Sequence, residues 1–91
     1  MRIRWTEGAT ENLTQVEEYI ARDNPAAAVD TVLKIIATAE ILADYPGLGK
    51  RGRERGTREL AVAGLPFFII FALHREELVI IRVLHMAMKY P

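Results

Sequence analysis

Residues 67–85 read FFIIFALHREELVIIRVLH, and how this stretch divides decides the fold. Phe67 to Leu73 is apolar at every position, and Leu78 to Leu84 is interrupted only by Arg82, so both runs carry apolar side chains on two faces. Strands of that kind belong in the middle of a sheet. The polar HREE between them is a turn, which pairs the two runs antiparallel. By the period of two, Leu78, Ile80, Arg82 and Leu84 share one face, and Val79, Ile81, Val83 and His85 share the other.

Working back along the chain, TRELAV (57–62) alternates, with Arg58, Leu60 and Val62 on one face, and AGLP (63–66) turns it into Phe67. Ahead of it lies a basic loop with glycines at 47, 49, 52 and 56. The first half is helical. Ala9, Leu13, Val16 and Ile20 recur at helical spacing behind Thr6 as a cap, with Glu7 in the first turn, and predict a helix to about Arg22. Asn24 is a good N-cap with Pro25 at the first helical position, and YPG at 45–47 stops the second helix. The core stripe of that helix reads Ala28, Val32, Ile35, Ala39 and Leu42, widened by Val29, Leu33 and Ile36. RIRW (2–5) alternates as a first strand, with Ile3 and Trp5 on one face. The expected architecture is an α+β domain over residues 1–91, ordered β-α-α-β-β-β, a helical hairpin packed on a small antiparallel sheet.

Ninety-one residues make one domain, and 51% hydrophobic against 26% charged residues makes it a folding one. With no cysteine and two histidines, the sequence offers neither a disulfide nor a metal site, and it calls for no cofactor. Its apolar runs are far shorter than the roughly 20 residues of a membrane helix, and the N-terminus has no signal-peptide apolar region, so a cytoplasmic location without a membrane partner is expected. The net charge of zero is divided: residues 1–49 carry four basic and eight acidic side chains, residues 50–91 eight basic and four acidic. The halves are thus −4 and +4. Much of the positive excess sits in KRGRERGTR (50–58), which is either a docking surface for an acidic partner or a solvated loop.

In order and spacing, YIARDNPAAA (19–28), LADYPGLGKRG (42–52), GTREL (56–60) and the closing IIRVLHMAMKYP (80–91) resemble the RelE/ParE toxin superfamily of type II toxin–antitoxin systems. The resemblance runs the full length and is strongest to the ParE branch and the plasmid stabilisation proteins beside it. It implies a toxin held by a cognate antitoxin that is short, acidic and folds on binding, ParD-like, in a hetero-oligomer. For the ParE branch it implies poisoning of DNA gyrase. The RelE, HigB and YoeB branches instead cut mRNA on the ribosome, and a chain that has lost its toxicity would be an antitoxin-binding remnant.

These readings use different residues. Metal-free RNA cleavage needs a base, an acid and cations around the phosphate. Arg58 and Arg82 match the sheet arginines of the cleaving relatives, His85 is a candidate acid or base, and Tyr90 is a loose counterpart of their C-terminal tyrosine. The bland alternatives are sheet ion pairs for the arginines and a strand-end cap on backbone carbonyls for His85. By parity Arg82 and His85 point to opposite faces. A toxin that binds needs instead a surface part basic and part apolar, for which the candidates are Lys50, Arg51, Arg53, Arg55, Phe67, Met86, Met88 and Lys89. Phe67, Phe68 and Phe71 lie on a strand apolar on both sides, so the face away from the helices is either covered by Met86 and Met88 or left for a partner.

Overall fold

The fold is that of a computed structural model, which describes residues 1–87. Strand β1 (Arg2–Trp5) leads into α1 (Glu7–Ala21) and α2 (Pro25–Asp44); a single 3-10 turn at Pro46–Leu48 precedes β2 (Lys50–Arg51), β3 (Arg58–Ala61), β4 (Phe67–His74) and β5 (Glu77–His85). The sheet order is β1-β5-β4-β3-β2, antiparallel throughout except that β1 runs parallel to β5. The sheet is therefore mixed rather than purely antiparallel. Both helices start at the expected caps, Thr6 accepting from the Ala9 N–H and Asn24 from the Ala27 N–H, each at 3.1 Å.

The helices cover one face. Ala9, Ile35, Ala39 and Leu42 meet Leu78, Ile80, Val83, Phe67, Ile69 and Phe71 in the core, with Ile3, Trp5, Leu13 and Val16 at its margin. Val29 and Leu33 depart from the expected stripe: Thr31 takes a buried place on α2, and these two face solvent. The turn between β4 and β5 is two residues, Arg75 and Glu76, both at positive φ (47° and 62°) without a glycine. This is the left-handed pair that a tight hairpin following the sheet's twist requires.

One irregularity redraws the parity of β5. Ile70 pairs with Arg82 while the next residue, Phe71, pairs with Ile80, so Ile81 is an extra residue. A bulge of this kind shifts every later side chain to the other face. The helix-side set is thus Leu78, Ile80, Val83 and His85, and Arg82 lies with Val79 and Leu84 on the open side. The reason lies in β1, which ends at Trp5 opposite Ile80 and leaves β5 without a strand beside it. The start of α1 takes over: Thr6 N–H donates to the Ile80 carbonyl (3.0 Å), Thr6 Oγ1 to the Ile81 carbonyl (3.0 Å), and Asn12 Oδ1 accepts from Val83 N–H (3.0 Å).

Thr6 thus caps α1 and holds the bulge with one hydroxyl. Thr6→Ala should cost about 2 kcal/mol, one cap and one part-buried hydrogen bond. In a domain of this size that lowers Tm by on the order of 10 °C, and Thr6→Ser should restore most of it, as read by denaturant and thermal unfolding.

Candidate functional site

The basic stretch is not an open loop. Lys50 and Arg51 pair with Glu59 and Arg58 as a short antiparallel ladder, so residues 50–61 form a hairpin. Its tip is closed by Gly52 N–H to the Thr57 carbonyl (2.8 Å) and by the Thr57 hydroxyl to the Glu54 carbonyl (2.7 Å). Gly52 lies so close to Thr57 that any side chain there would collide with it, and Gly56 turns at φ 80°. Glu59, only 5% exposed, reaches across the hairpin and accepts from the Arg53 N–H at 3.0 Å. A buried carboxylate needs such donors, and here it fixes where the tip points.

On the open side of the sheet, register places Lys50, Glu59, Ile70 and Arg82 in one row across four strands. Beside it the Arg53 guanidinium lies 5.8 Å from the ring centre of Phe68. Lys50, Arg53, Glu59, Ala61, Phe68 and Met86 line a shallow cavity of about 160 Å³. Met86 is exposed, so it rims this face rather than sealing it. The surface is part cationic and part apolar, and it contains Lys50, Arg53 and Met86 of the expected binding set. Arg55 is exposed at the hairpin tip. Phe67 goes elsewhere: with Phe71 it faces the helices, and Phe68 alone of the three phenylalanines faces away. Met88, Lys89 and Tyr90 lie outside the described residues.

Arg58 and Arg82 lie on opposite sides of the sheet. Arg58, level with Phe71, sits on the helix side directly across from Arg51, so two like charges face each other at the sheet edge. Such a pair is destabilising unless an anion joins it. Arg82 reaches over the first turn of α1, where its Nη1 donates to the Ile81 carbonyl at 3.3 Å. A side chain at Gly8 would overlap the guanidinium and push it aside. The ion pairs offered as the alternative reading of these two arginines are absent among the described residues. Among the described residues no carboxylate pairs with Lys50, Arg51, Arg55, Arg58 or Arg82, whereas Arg4 pairs with Glu77 and Lys34 with Asp30.

His85 ends β5 on the helix side. Its Nδ1 accepts from the Ala87 N–H at 3.0 Å, so it caps a backbone amide rather than a carbonyl. Its ring meets Phe67 edge-on, with centres 5.3 Å apart. It borders a groove of about 530 Å³ beneath α1 whose walls include Val16, Tyr19, Ile20, Leu65 and Pro66. The groove went unread in the sequence because its walls come from four separate segments. Along β4, Arg58 is level with Phe71 and His85 with Phe67, four residues or about 13 Å apart. Arg58, Arg82 and His85 are therefore not gathered around one point. Among the described residues no three His, Asp or Glu side chains group to hold a metal ion, and no helix is long and apolar enough to cross a membrane.

The fit of Gly8 under Arg82 is testable by a double-mutant cycle. Gly8→Ala alone should gain less stability than in an Arg82→Ala background, because the methyl displaces the guanidinium; with Arg82 removed it should gain up to about 1 kcal/mol, the helix-propensity difference. Equal effects in both backgrounds would contradict the contact.

Compared with known proteins, residues 3–90 match the family model for the ParE toxin of type II toxin–antitoxin systems, parDE. The chain is 38% identical over 90 residues to the putative toxin Y4kP of Sinorhizobium fredii, covering 99% of this chain and 93% of that one. It is 33% identical over 87 residues to toxin RelE2 of Caulobacter vibrioides, covering 94% and 96%. Among solved structures it superposes on a chain of the chromosomal ParDE toxin–antitoxin system from P. aeruginosa with a TM-score of 0.84 at 25% identity, over 93% of this chain and 95% of that one. For the RelBE2 toxin–antitoxin complex of Mycobacterium tuberculosis the TM-score is 0.59 at 25% identity, over 92% and 95%. The backbone is thus nearer the ParDE chain at equal identity.

Proposed function

Because this chain belongs to the ParE toxin family of type II toxin–antitoxin systems, we propose that it stops growth by gripping a large cytoplasmic target, DNA gyrase, and is neutralised by a short acidic ParD-like antitoxin. The observation that carries the binding reading is the set of cations left without internal partners. Lys50, Arg51, Arg55, Arg58 and Arg82 have no carboxylate of their own among the described residues; the first four belong to the edge hairpin, Lys50 on the open side with Phe68 and Met86, Arg51 and Arg58 on the helix side and Arg55 at the tip. An acidic segment folding onto these cations supplies the opposite charge that they lack within the described residues. Met86, exposed at the rim of the open face, gives such a segment apolar area to bury, while Phe68 is already buried beneath. The choice of gyrase rests on the resemblance to the ParE branch.

Cleavage of mRNA is the second reading, and the names RelE2 and RelBE2 among the similar proteins give it weight. It requires Arg58, Arg82 and His85 to act at one phosphate, with donors about 3 Å from the developing charge. Their separation across two faces of the sheet favours the binding reading.

Inducing the chain without antitoxin tests this. Filamentation with DNA-damage signalling is the expected outcome, and it should survive Arg82→Ala combined with His85→Ala. Reversing charge at Lys50, Arg51 and Arg53 together should weaken target binding by on the order of tenfold to a hundredfold and relieve toxicity. Immediate arrest of translation with cleaved transcripts, lost in the Arg82/His85 double variant, would replace the proposal with the nuclease, and normal growth would leave an antitoxin-binding remnant.

A further inference from the structure

Thr31, on the inner side of α2, is only 7% exposed, and its hydroxyl makes no hydrogen bond among the described residues. Elsewhere in the helices a threonine hydroxyl returns to the carbonyl four residues back: Thr10 to Thr6 at 3.3 Å, Thr14 to Thr10 at 3.2 Å and Thr38 to Lys34 at 2.9 Å. Thr31 does not. Its oxygen is not sealed off either, because no side-chain oxygen or nitrogen among the described residues is both fully enclosed and unpartnered. The opening it meets is the groove beneath α1, which Thr31 helps to line. Valine, of the same shape, would fill that place without desolvating a hydroxyl.

We propose that this groove binds a small, uncharged aromatic molecule carrying an amide or other carbonyl group, with the Thr31 hydroxyl as one of its polar contacts. At about 530 Å³ the groove is of the size that takes such a ligand. Val16, Ile20 and Val83 give it apolar walls, and the rings of Tyr19, Phe67 and His85 border it, which suits a flat ring among them. No Lys, Arg, Asp or Glu lines it, so a charged ligand would lose its water without gaining an opposite charge. The polar side chains that line it without being exposed can all donate. Asn12 Oδ1 is taken by the Val83 N–H, which leaves the amide hydrogens of Asn12. His85 Nδ1 accepts from the Ala87 N–H, which puts the ring's own proton on Nε2. Thr31 adds its hydroxyl, and a carbonyl oxygen is the acceptor that such a set calls for.

An acidic antitoxin tail is the poorer occupant, because the cations that suit it lie on the edge hairpin and the open face and none lines the groove. Water reaches the hydroxyl, but the walls around it are largely apolar, and a ring that displaces loosely held water gains their area while its carbonyl replaces the hydrogen bond. The groove lies on the helix side of the sheet and the basic cavity on the other, so the two sites are distinct. The inference does not depend on gyrase being the target.

Titration of the purified full-length chain with benzamide, followed by its backbone amide chemical shifts, tests it. Saturable shifts are expected, concentrated at Val16, Thr31, Phe67 and Val83. Toluene, the ring without the amide, should shift the same residues. Thr31→Val should weaken benzamide about threefold to tenfold, the worth of one neutral hydrogen bond, and leave toluene unchanged. Thr31→Ser keeps the hydroxyl and should hold benzamide within about twofold of the parent chain, so the loss reports the oxygen rather than the packing. Benzamide shifts that do not saturate or that fall outside the groove would overturn the proposal. So would a Thr31→Val variant that weakens both probes equally or neither, the latter leaving a hydroxyl that only water meets. Groove amides that shift with the antitoxin and with neither probe would overturn it too, and give the groove to the antitoxin.

Discussion

One hydroxyl connects the two layers of this protein. Thr6 Oγ1 accepts from the first turn of α1 and donates to the carbonyl of Ile81, at the point where β5 outruns β1. A central strand that loses its neighbour leaves backbone groups that must find partners elsewhere, and Thr6 and Asn12 supply them. The extra residue at Ile81 is tolerated because of this substitution. From it follows the placement of everything after it in β5: Arg82 on the open side against Gly8, and His85 on the helix side against Phe67. The same junction that builds the fold therefore keeps apart two side chains that a nuclease would have to bring together.

Much of the fold was legible because its signals are local. Thr6 and Asn24 announce their helices, Ile3 and Trp5 announce an inward strand face, and the HREE turn divides two apolar runs at its true position. What stayed hidden depends on residues far apart in sequence. Nothing between Ile80 and Arg82 marks a bulge, since neither glycine nor proline stands there; its cause is the length of β1, some 75 residues away. The parallel pairing of β1 with β5 is hidden for the same reason. On α2 the apolar residues run all round, so the pattern alone cannot say which side is inner, and Val29 and Leu33, expected beside the core stripe, face water.

The candidate site divides along the same line. The cluster of cations from Lys50 to Arg58 is plain in the sequence, but its rigidity is not, because it rests on Glu59 reaching the Arg53 N–H and on the bonds around Thr57. A glycine-rich stretch that sounds mobile is a closed hairpin, so its charges are presented at fixed positions. Preorganised charge binds an acidic partner at less entropic cost than a loop that must first be ordered. Phe67, a candidate for the binding surface, is turned inward by β4, which leaves Met86 as the exposed apolar contribution to the open face, over a buried Phe68.

The central claim is that this surface grips rather than cuts. The most direct measurement is DNA supercoiling by purified gyrase in the presence of the purified chain, run beside a ribosome-dependent mRNA cleavage assay with the same preparation. The account predicts loss of supercoiling with accumulation of cleaved DNA bound to gyrase, relief of both by the antitoxin, and intact mRNA. Undiminished supercoiling together with mRNA cut on the ribosome would contradict it.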